Sequence, residues 1–234
     1  MEQSQKQISA GKSKSGLQTI GLTRIKGLLL DISNELSYHG ITRPAYTQES
    51  LRRIECFSEI EATKVTTLLT QNLEFIAGSK NIEVEDLKFG LRILGLKPID
   101  DIFSFLSPGD VVEIHDFSGI QIYRNIAAFN FISFSLAEIL CLPWTELYLR
   151  PSLVINAMMS EANRLMSNPV GTIPIRFSEH VVTESGPDKP LTVHLNFKFI
   201  SPMADSEGQI TAVLTTKTCR IIEMDRPAES LAYL

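Results

Sequence analysis

The side chains best suited to proton transfer lie together in the segment VVEIHD. Glu113, His115 and Asp116 fall within it, and carboxylates and imidazoles are common general acids and bases in enzymes. Alternate side chains of an extended strand point to opposite faces, so Glu113 and His115 are expected on one face and Asp116 on the other. The segment allows a small-molecule-converting enzyme on an α+β pocket fold, but the split between two faces weakens that reading.

Motifs of other catalytic and metal sites are lacking. The sequence has no nucleophile elbow, no glycine loop with phosphate-binding spacing and no metal-binding helix motif. Its three cysteines, Cys56, Cys141 and Cys219, are widely spaced without a CxxC pair, which favours buried thiols over a zinc site or a disulfide framework. We therefore expect no catalytic residues, no metal and no enzymatic activity.

The charge balance and the apolar runs restrict the partners. The chain of 234 residues has a formal net charge of −5 and a pI near 5.5, whereas nucleic-acid binding usually needs a concentrated basic face. No apolar run approaches the roughly 20 residues that span a bilayer, and the first residues lack the apolar core of a secretory signal. These features predict a cytoplasmic protein that binds neither nucleic acid nor membrane.

The hydrophobic pattern divides the chain into four regions. The first segment is almost free of apolar residues and is expected to be disordered; helical spacing then continues until SPGD at residues 107–110, where it changes to alternation. Ser58 and Glu61 have the spacing of a capping box and predict the start of a helix. The predicted regions are a disordered tail (1–16), a helical bundle (17–106), a sheet-containing domain (107–224) and a C-terminal extension (225–234).

The first predicted helix is apolar on more than one side. One face can pack within the chain, and the surplus then needs a partner, for which two-fold self-association is the commonest solution. We therefore predict a homodimer with residues 17–38 in the interface. The candidate interface residues are Leu22, Ile25, Leu28, Leu29, Leu30, Ile32 and Leu36.

Residues 107–224 read as two strands, several helices and three further strands. The first two strands form a hairpin with a tight turn at 116–119, and a longer amphipathic helix covers 151–166. The last strands are predicted at 172–183, 191–200 and 209–222. Along the middle one, alternation places five side chains on one face: Leu191, Val193, Leu195, Phe197 and Phe199. The result is a five-stranded antiparallel sheet with helices on one face and a small apolar pocket between them.

This order resembles a PAS domain over residues 105–224. VVEIHDFSGIQIYRN resembles the family's first two strands, with Gly119 at the turn glycine and Asn125 at the asparagine that ends the second strand and caps the next helix. FISFSLAEIL and CLPWTELYLRP are similar to the segments that precede the long helix, although Ser133 stands where the family usually has glycine. The resemblance implies an α+β, PAS-like sensory or regulatory protein without its own catalytic output domain.

The resemblance also implies a ligand pocket, but leaves the ligand unknown. The flavin-binding branch uses an Asn-Cys-Arg-Phe-Leu motif, which is absent; haem usually needs an axial His, and the long helix has none, while His115 and His194 are expected to point away from the core. Haem and flavin are therefore disfavoured. A small apolar ligand, a protein partner in signal transduction, or a purely structural interaction module remain. The candidate pocket residues are Tyr123, Phe129, Phe131, Phe134, Trp144, Tyr148, Met158 and Phe197.

Overall fold

The computed structural model describes residues 21–167, 179–185 and 190–222, which form an α+β fold. The predicted tail, the C-terminal extension and residues 172–178 of a predicted strand lie outside these ranges. The helices are α1 (21–38), α2 (Gln48–Glu55), α3 (Glu59–Ala77), α4 (Glu83–Leu94), α5 (Leu136–Cys141), α6 (Trp144–Leu147) and α7 (Ser152–Ser167), with short 3-10 helices at Phe103–Phe105 and Ile126–Phe131. The strands are β1 (Lys97–Pro98), β2 (Val111–Asp116), β3 (Gln121–Arg124), β4 (Tyr148–Leu149), β5 (His180–Glu184), β6 (Thr192–Ala204) and β7 (Ile210–Ile221).

Local hydrogen bonds explain where several helices begin. The predicted capping box at α3 is confirmed: Ser58 accepts from the backbone N–H of Glu61, and Glu61 accepts from the backbone N–H of Ser58. Ser135 and Glu138 make the same pair of bonds at α5. Each box satisfies backbone donors that the first turn of a helix leaves free.

The strands form one antiparallel sheet in the order β3-β2-β7-β6-β5-β4, with β1 added to β6. Two strands, a series of helices and three strands follow one another, so the PAS-like arrangement expected from the sequence is confirmed. Among the described residues the sheet has seven strands rather than five, because β1 and β4 add two residues each. Such short strands carry no alternation that a sequence could reveal.

Helices lie on both faces of the sheet, with the N-terminal helices on one face and helices of the PAS-like part on the other. Phe75 on α3 and Leu87 and Leu91 on α4 pack with Ile114 and Leu214 of the central strands in one apolar cluster. Helices α6 and α7 lie over the opposite face, where they contribute residues to a cavity with Glu113 and Lys217. The N-terminal helices therefore bury one side of the sheet, and a second space is enclosed on the other side.

A bulge in β6 changes which side chains share a face. Phe197 pairs with Lys217 and Phe199 with Thr216, so the register shifts by one residue between them. Phe197 consequently lies on the α7 side, while Phe199 joins the cluster under α4. The prediction that both share one face is wrong, because an extra residue on one strand reverses the alternation beyond it.

The apolar stripe of α1 is buried inside the chain. Ile25, Leu29, Ile32 and Leu36 are at most 1% exposed and pack with residues of α3 and α5. Leu22 and Leu28 are partly buried against the same cluster. Of the seven candidate interface residues, Leu30 is the one that is largely exposed, at 47%. The apolar face of α1, from which a dimer interface was predicted, is thus covered mainly by the chain's own α3 and α5.

Candidate functional site

A cavity of about 140 Å³ lies between the sheet and the segment that runs from α6 to α7. Its floor comes from β2, β3, β6 and β7, and its roof from α6, β4 and α7. The lining is mixed, with charged groups on the floor and aromatic or thioether groups around them. The lining residues are Glu113, His115, Asp116, Phe117, Gly119, Gln121, Trp144, Tyr148, Arg150, Met158, Met159, Ala162, Asn163, Phe197, Ile200, Val213, Thr215 and Lys217.

Glu113 is the centre of the polar floor. Its carboxylate accepts a hydrogen bond from Lys217 Nζ, lies 3.1 Å from Arg124 Nη2, and lies 3.6 Å from His115 Nε2. The side chains of Glu113 and Arg124 are at most 7% exposed. Strand pairing produces this cluster, because Glu113 stands opposite Arg124 on β3, while the bulge at Ile122 of β3 also brings Gln121 into contact with Arg124.

The charges around Glu113 set its protonation state. Burial alone would raise the pKa of Glu113, but Lys217 and Arg124 outweigh that effect and hold the pKa well below its usual range. Burial lowers the pKa of His115 more than Glu113 raises it, so the imidazole is neutral at neutral pH. A carboxylate with such a low pKa is a weak general base, and this makes Glu113 a poor catalyst.

The hairpin turn positions the aromatic wall. Asp116 accepts hydrogen bonds from the backbone N–H groups of Ser118 and Ile120, and Gly119 adopts a φ of +81°. The Gly119 carbonyl accepts a 3.1 Å hydrogen bond from the backbone N–H of Trp144, and a Cβ at Gly119 would approach the indole to 3.5 Å. The turn predicted from the sequence therefore holds Trp144 over the cavity.

Arg150 is a site residue that the sequence analysis missed. Its guanidinium carbon lies 4.9 Å from the ring centre of Trp144 and 4.8 Å from that of Tyr148. The Nε and Nη1 atoms are buried and have no hydrogen-bond partner in the part of the chain that the structure describes. A basic residue just before a proline carried no sequence signal of this role.

The structure brings half of the eight pocket candidates to the cavity. Trp144, Tyr148, Met158 and Phe197 line it. The other four lie elsewhere: Tyr123 packs against Phe75 under α3 and α4, Phe129 and Phe134 belong to the cluster that buries α1, and Phe131 packs at the edge of the cluster around Val193. The presence of an aromatic side chain in the sequence did not show whether that side chain would line the cavity or pack in another cluster.

Two further predicted roles are wrong in detail. Asn125 precedes a 3-10 helix, but its side chain makes no capping bond; instead it accepts from Val112 N and donates to the Asp110 carbonyl, joining the ends of the hairpin. His115 points into the cavity rather than away from the core. His194 does lie on the other face, 3.2 Å from Glu179.

The thiols and possible metal ligands add no chemistry to the cavity. Burial raises the pKa of Cys141 to about 12 and that of Cys219 to about 11. Cys56 is exposed, contrary to the prediction of three buried thiols. Among residues 21–167, 179–185 and 190–222, no group of three His, Cys, Asp or Glu could hold a metal ion, and no helix in those ranges is long and apolar enough to cross a membrane.

Comparison with known proteins gives matches among solved structures only; no family model and no curated protein matches the sequence. A PAS domain from Colwellia psychrerythraea is 16% identical, with 49% of this chain and 86% of that one covered and a TM-score of 0.33. The light-state dimer of the fungal blue-light photoreceptor Vivid is 14% identical over 60% and 95% of the two chains, with a TM-score of 0.37. A light-oxygen-voltage domain described with a flavin analogue is 16% identical over 50% and 79%, with a TM-score of 0.33. The chain has a PAS-like fold, as the order of its own strands and helices already indicates.

Proposed function

We propose that the protein is a sensory or regulatory protein that binds a small amphipathic ligand in the cavity and passes the signal on through protein contacts. The observation that carries this proposal is the cavity itself, which combines an apolar aromatic wall with a charged floor between the sheet and α7. Ligand sites in proteins have this composition, with apolar walls and a few polar groups that orient the ligand.

The volume restricts the ligand. A cavity of about 140 Å³ resembles in size an engineered cavity of roughly 150 Å³ that binds benzene. Its volume accommodates a single ring with small substituents. The three-ring system of a flavin and the four-pyrrole ring system of a porphyrin both have much larger volumes. This size supports a small metabolite as the ligand rather than either cofactor.

Helix α7 is the element best placed to report ligand binding. It contributes Met158, Met159, Ala162 and Asn163 to the cavity, and Leu165 is its one buried residue among those whose side chains are described. An element with few buried contacts has a low cost of local rearrangement. A ligand that adds contacts to α7 would therefore shift its position or its order, and a partner protein could recognise the change.

Tryptophan fluorescence tests ligand binding directly. Trp144 is the single tryptophan of the chain and lines the cavity, so an apolar ligand should change its emission. Ala162→Phe should abolish that response by filling the space, while Ser160→Phe, on an exposed position of the same helix, should not. A screen of single-ring compounds without any response in the wild-type protein would refute the proposal.

The enzyme hypothesis now depends mainly on His115. The neutral imidazole faces the cavity and could accept a proton, whereas the carboxylate of Glu113 is held by two cations, and Asp116 is engaged by the turn and by Lys64 at 3.3 Å. Metabolite conversion should be compared between the wild type, Glu113→Gln and His115→Ala. Conversion that is lost in His115→Ala alone would favour an enzyme over a sensor.

A purely structural interaction module is the remaining alternative. In that case the cavity would hold no ligand, and native mass spectrometry of the protein purified from its own cell would find the chain mass alone. Co-purified mass that disappears in Ala162→Phe would favour the sensor.

A further inference from the structure

Arg150 presents unsatisfied hydrogen-bond donors inside the cavity. Two of its nitrogen atoms, Nε and Nη1, are buried without a partner among the described residues. A buried charged group without partners is costly, and arginine keeps its charge in proteins. A ligand that accepts hydrogen bonds from these donors would therefore bind favourably at this position.

The aromatic contacts leave the edge of the guanidinium available. Trp144 and Tyr148 both lie under 5 Å from the Arg150 guanidinium carbon, measured to their ring centres. Rings that stack on a guanidinium occupy its faces, while the N–H groups lie in its plane. The Nε–H and Nη1–H groups point from different edges of the guanidinium, and each can donate a charge-assisted hydrogen bond to an oxygen of a carboxylate.

The charges of the floor favour an anion as well. Lys217 and Arg124 both contact the one buried carboxylate of Glu113, so their combined charge exceeds that of their partner. Asp116 at the rim is already engaged by Lys64. With Arg150 included, the described groups in and directly behind the cavity carry more positive than negative charge.

Two neutral groups in the lining also lack partners. Thr215 Oγ1 and His115 Nδ1 are both buried without a hydrogen bond to a described residue. Because His115 Nε2 faces the Glu113 carboxylate, that nitrogen carries the proton and Nδ1 is left as an acceptor. These groups offer hydrogen bonds to polar substituents on a ligand.

We propose that the ligand is a small aromatic carboxylate. Its carboxylate binds Arg150 beside Trp144, and its ring fills the apolar space between Met158 and Phe197. This inference rests on the proposed function, since it specifies the ligand of the same cavity. It adds the charge of the ligand and the residue that recognises it.

Benzoate and benzamide distinguish charge recognition from simple filling of the cavity. They have nearly the same shape, and benzoate alone is anionic. In Trp144 fluorescence titrations we expect benzoate to bind roughly tenfold more tightly than benzamide, since a charge-assisted hydrogen bond is about twice as strong as a neutral one. Arg150→Gln should remove this preference, and Arg150→Lys should retain part of it, because lysine keeps the positive charge but places its donors differently.

Arg52→Gln is the matched control. Arg52 is an exposed arginine on α2 that pairs with Glu49, and its loss should leave the preference for benzoate intact. Equal affinities of the wild type for the two probes would overturn the carboxylate inference even if Arg150→Gln does not fold, and so would a preference that survives in a folded Arg150→Gln. Binding of benzamide in these cases leaves the ligand-binding function standing, whereas failure of every single-ring probe overturns both proposals.

Discussion

Replacement of Glu113 by glutamine should destabilise the protein strongly. The substitution keeps the shape of the side chain but removes the charge that compensates Lys217 and Arg124, whose side chains are 10% and 1% exposed. Removal of one partner from a buried ion pair costs about 3–5 kcal/mol, because it leaves an uncompensated charge. At roughly 2–4 °C per kcal/mol for a chain of this size, the melting temperature should fall by about 6–20 °C.

Glu146→Gln provides the comparison for a solvent-exposed pair. Glu146 lies 2.7 Å from Arg53, with side chains 46% and 43% exposed, and such pairs contribute less than about 1 kcal/mol. The double substitution Glu113→Gln/Lys217→Met should recover part of the loss, because it removes one of the two stranded cations. Chemical denaturation of the four proteins measures these differences. The reasoning is refuted if Glu113→Gln costs no more than Glu146→Gln.

The buried carboxylate of Glu113 also makes the stability of the protein depend on pH. The folded pKa of Glu113 is depressed, so its contribution is complete above the pKa of the unfolded chain and is lost as the pH falls below about 5. The lowered pKa of His115 acts in the same direction, because protons then bind the unfolded state first. Wild-type stability should therefore decrease with acidification, and the decrease should be shallower in Glu113→Gln. Parallel pH curves for the two proteins would contradict the depressed pKa.

Three other predictions concern packing, local stability and assembly. Gly90→Ala should lower the free energy of unfolding by about 1–3 kcal/mol through overpacking, since its Cβ would lie 2.4 Å from the buried Tyr123 ring. Gly27→Ala on α1, which has open space around it, should be neutral or stabilising. Equal denaturation curves for the two variants would contradict this. Amides of α7 should exchange hydrogen faster than those of β6 and β7, and equal protection would remove α7 as the reporting element. Self-association through α1 should weaken in Leu30→Glu by light scattering, and a wild type that stays monomeric at high micromolar concentration would end that proposal.

Features that depend on residues close together in the sequence could be predicted from the sequence. The capping box of Ser58 and Glu61 and the turn that ends at Gly119 each depend on a few consecutive residues, so spacing and residue type were sufficient. The general order of strands and helices followed from changes in hydrophobic period. These features gave the fold class correctly.

The features that define the cavity depend on residues far apart in the chain. Arg150 became a candidate only when Trp144, Tyr148 and the sheet were placed around it, and the charge cluster joins Glu113 to Lys217 across two strands. Likewise, the stripe of α1 matched both an interface and an internal core, and its partners on α3 and α5 are distant in sequence. Hydrophobic period identifies an apolar face but not what covers it.

The bulge in β6 has a consequence for how the length of this chain can vary. Phe197 faces the cavity and Phe199 the core under α4 because Lys198 is an extra residue between them, while their pairing partners Lys217 and Thr216 are consecutive. Deletion of Lys198 would remove the bulge and leave both faces unchanged, because Phe199 would then directly follow Phe197 in regular alternation, and an added residue in the turn at 205–209 would also leave them unchanged. Deletion of one residue from the regular stretch between Val193 and Phe197 would instead shift the side chains on one side of the deletion to the opposite face. Homologues that keep the cavity are therefore expected to differ in the length of that turn and in the presence of the bulge residue, while the spacing between Val193 and Phe197 stays constant.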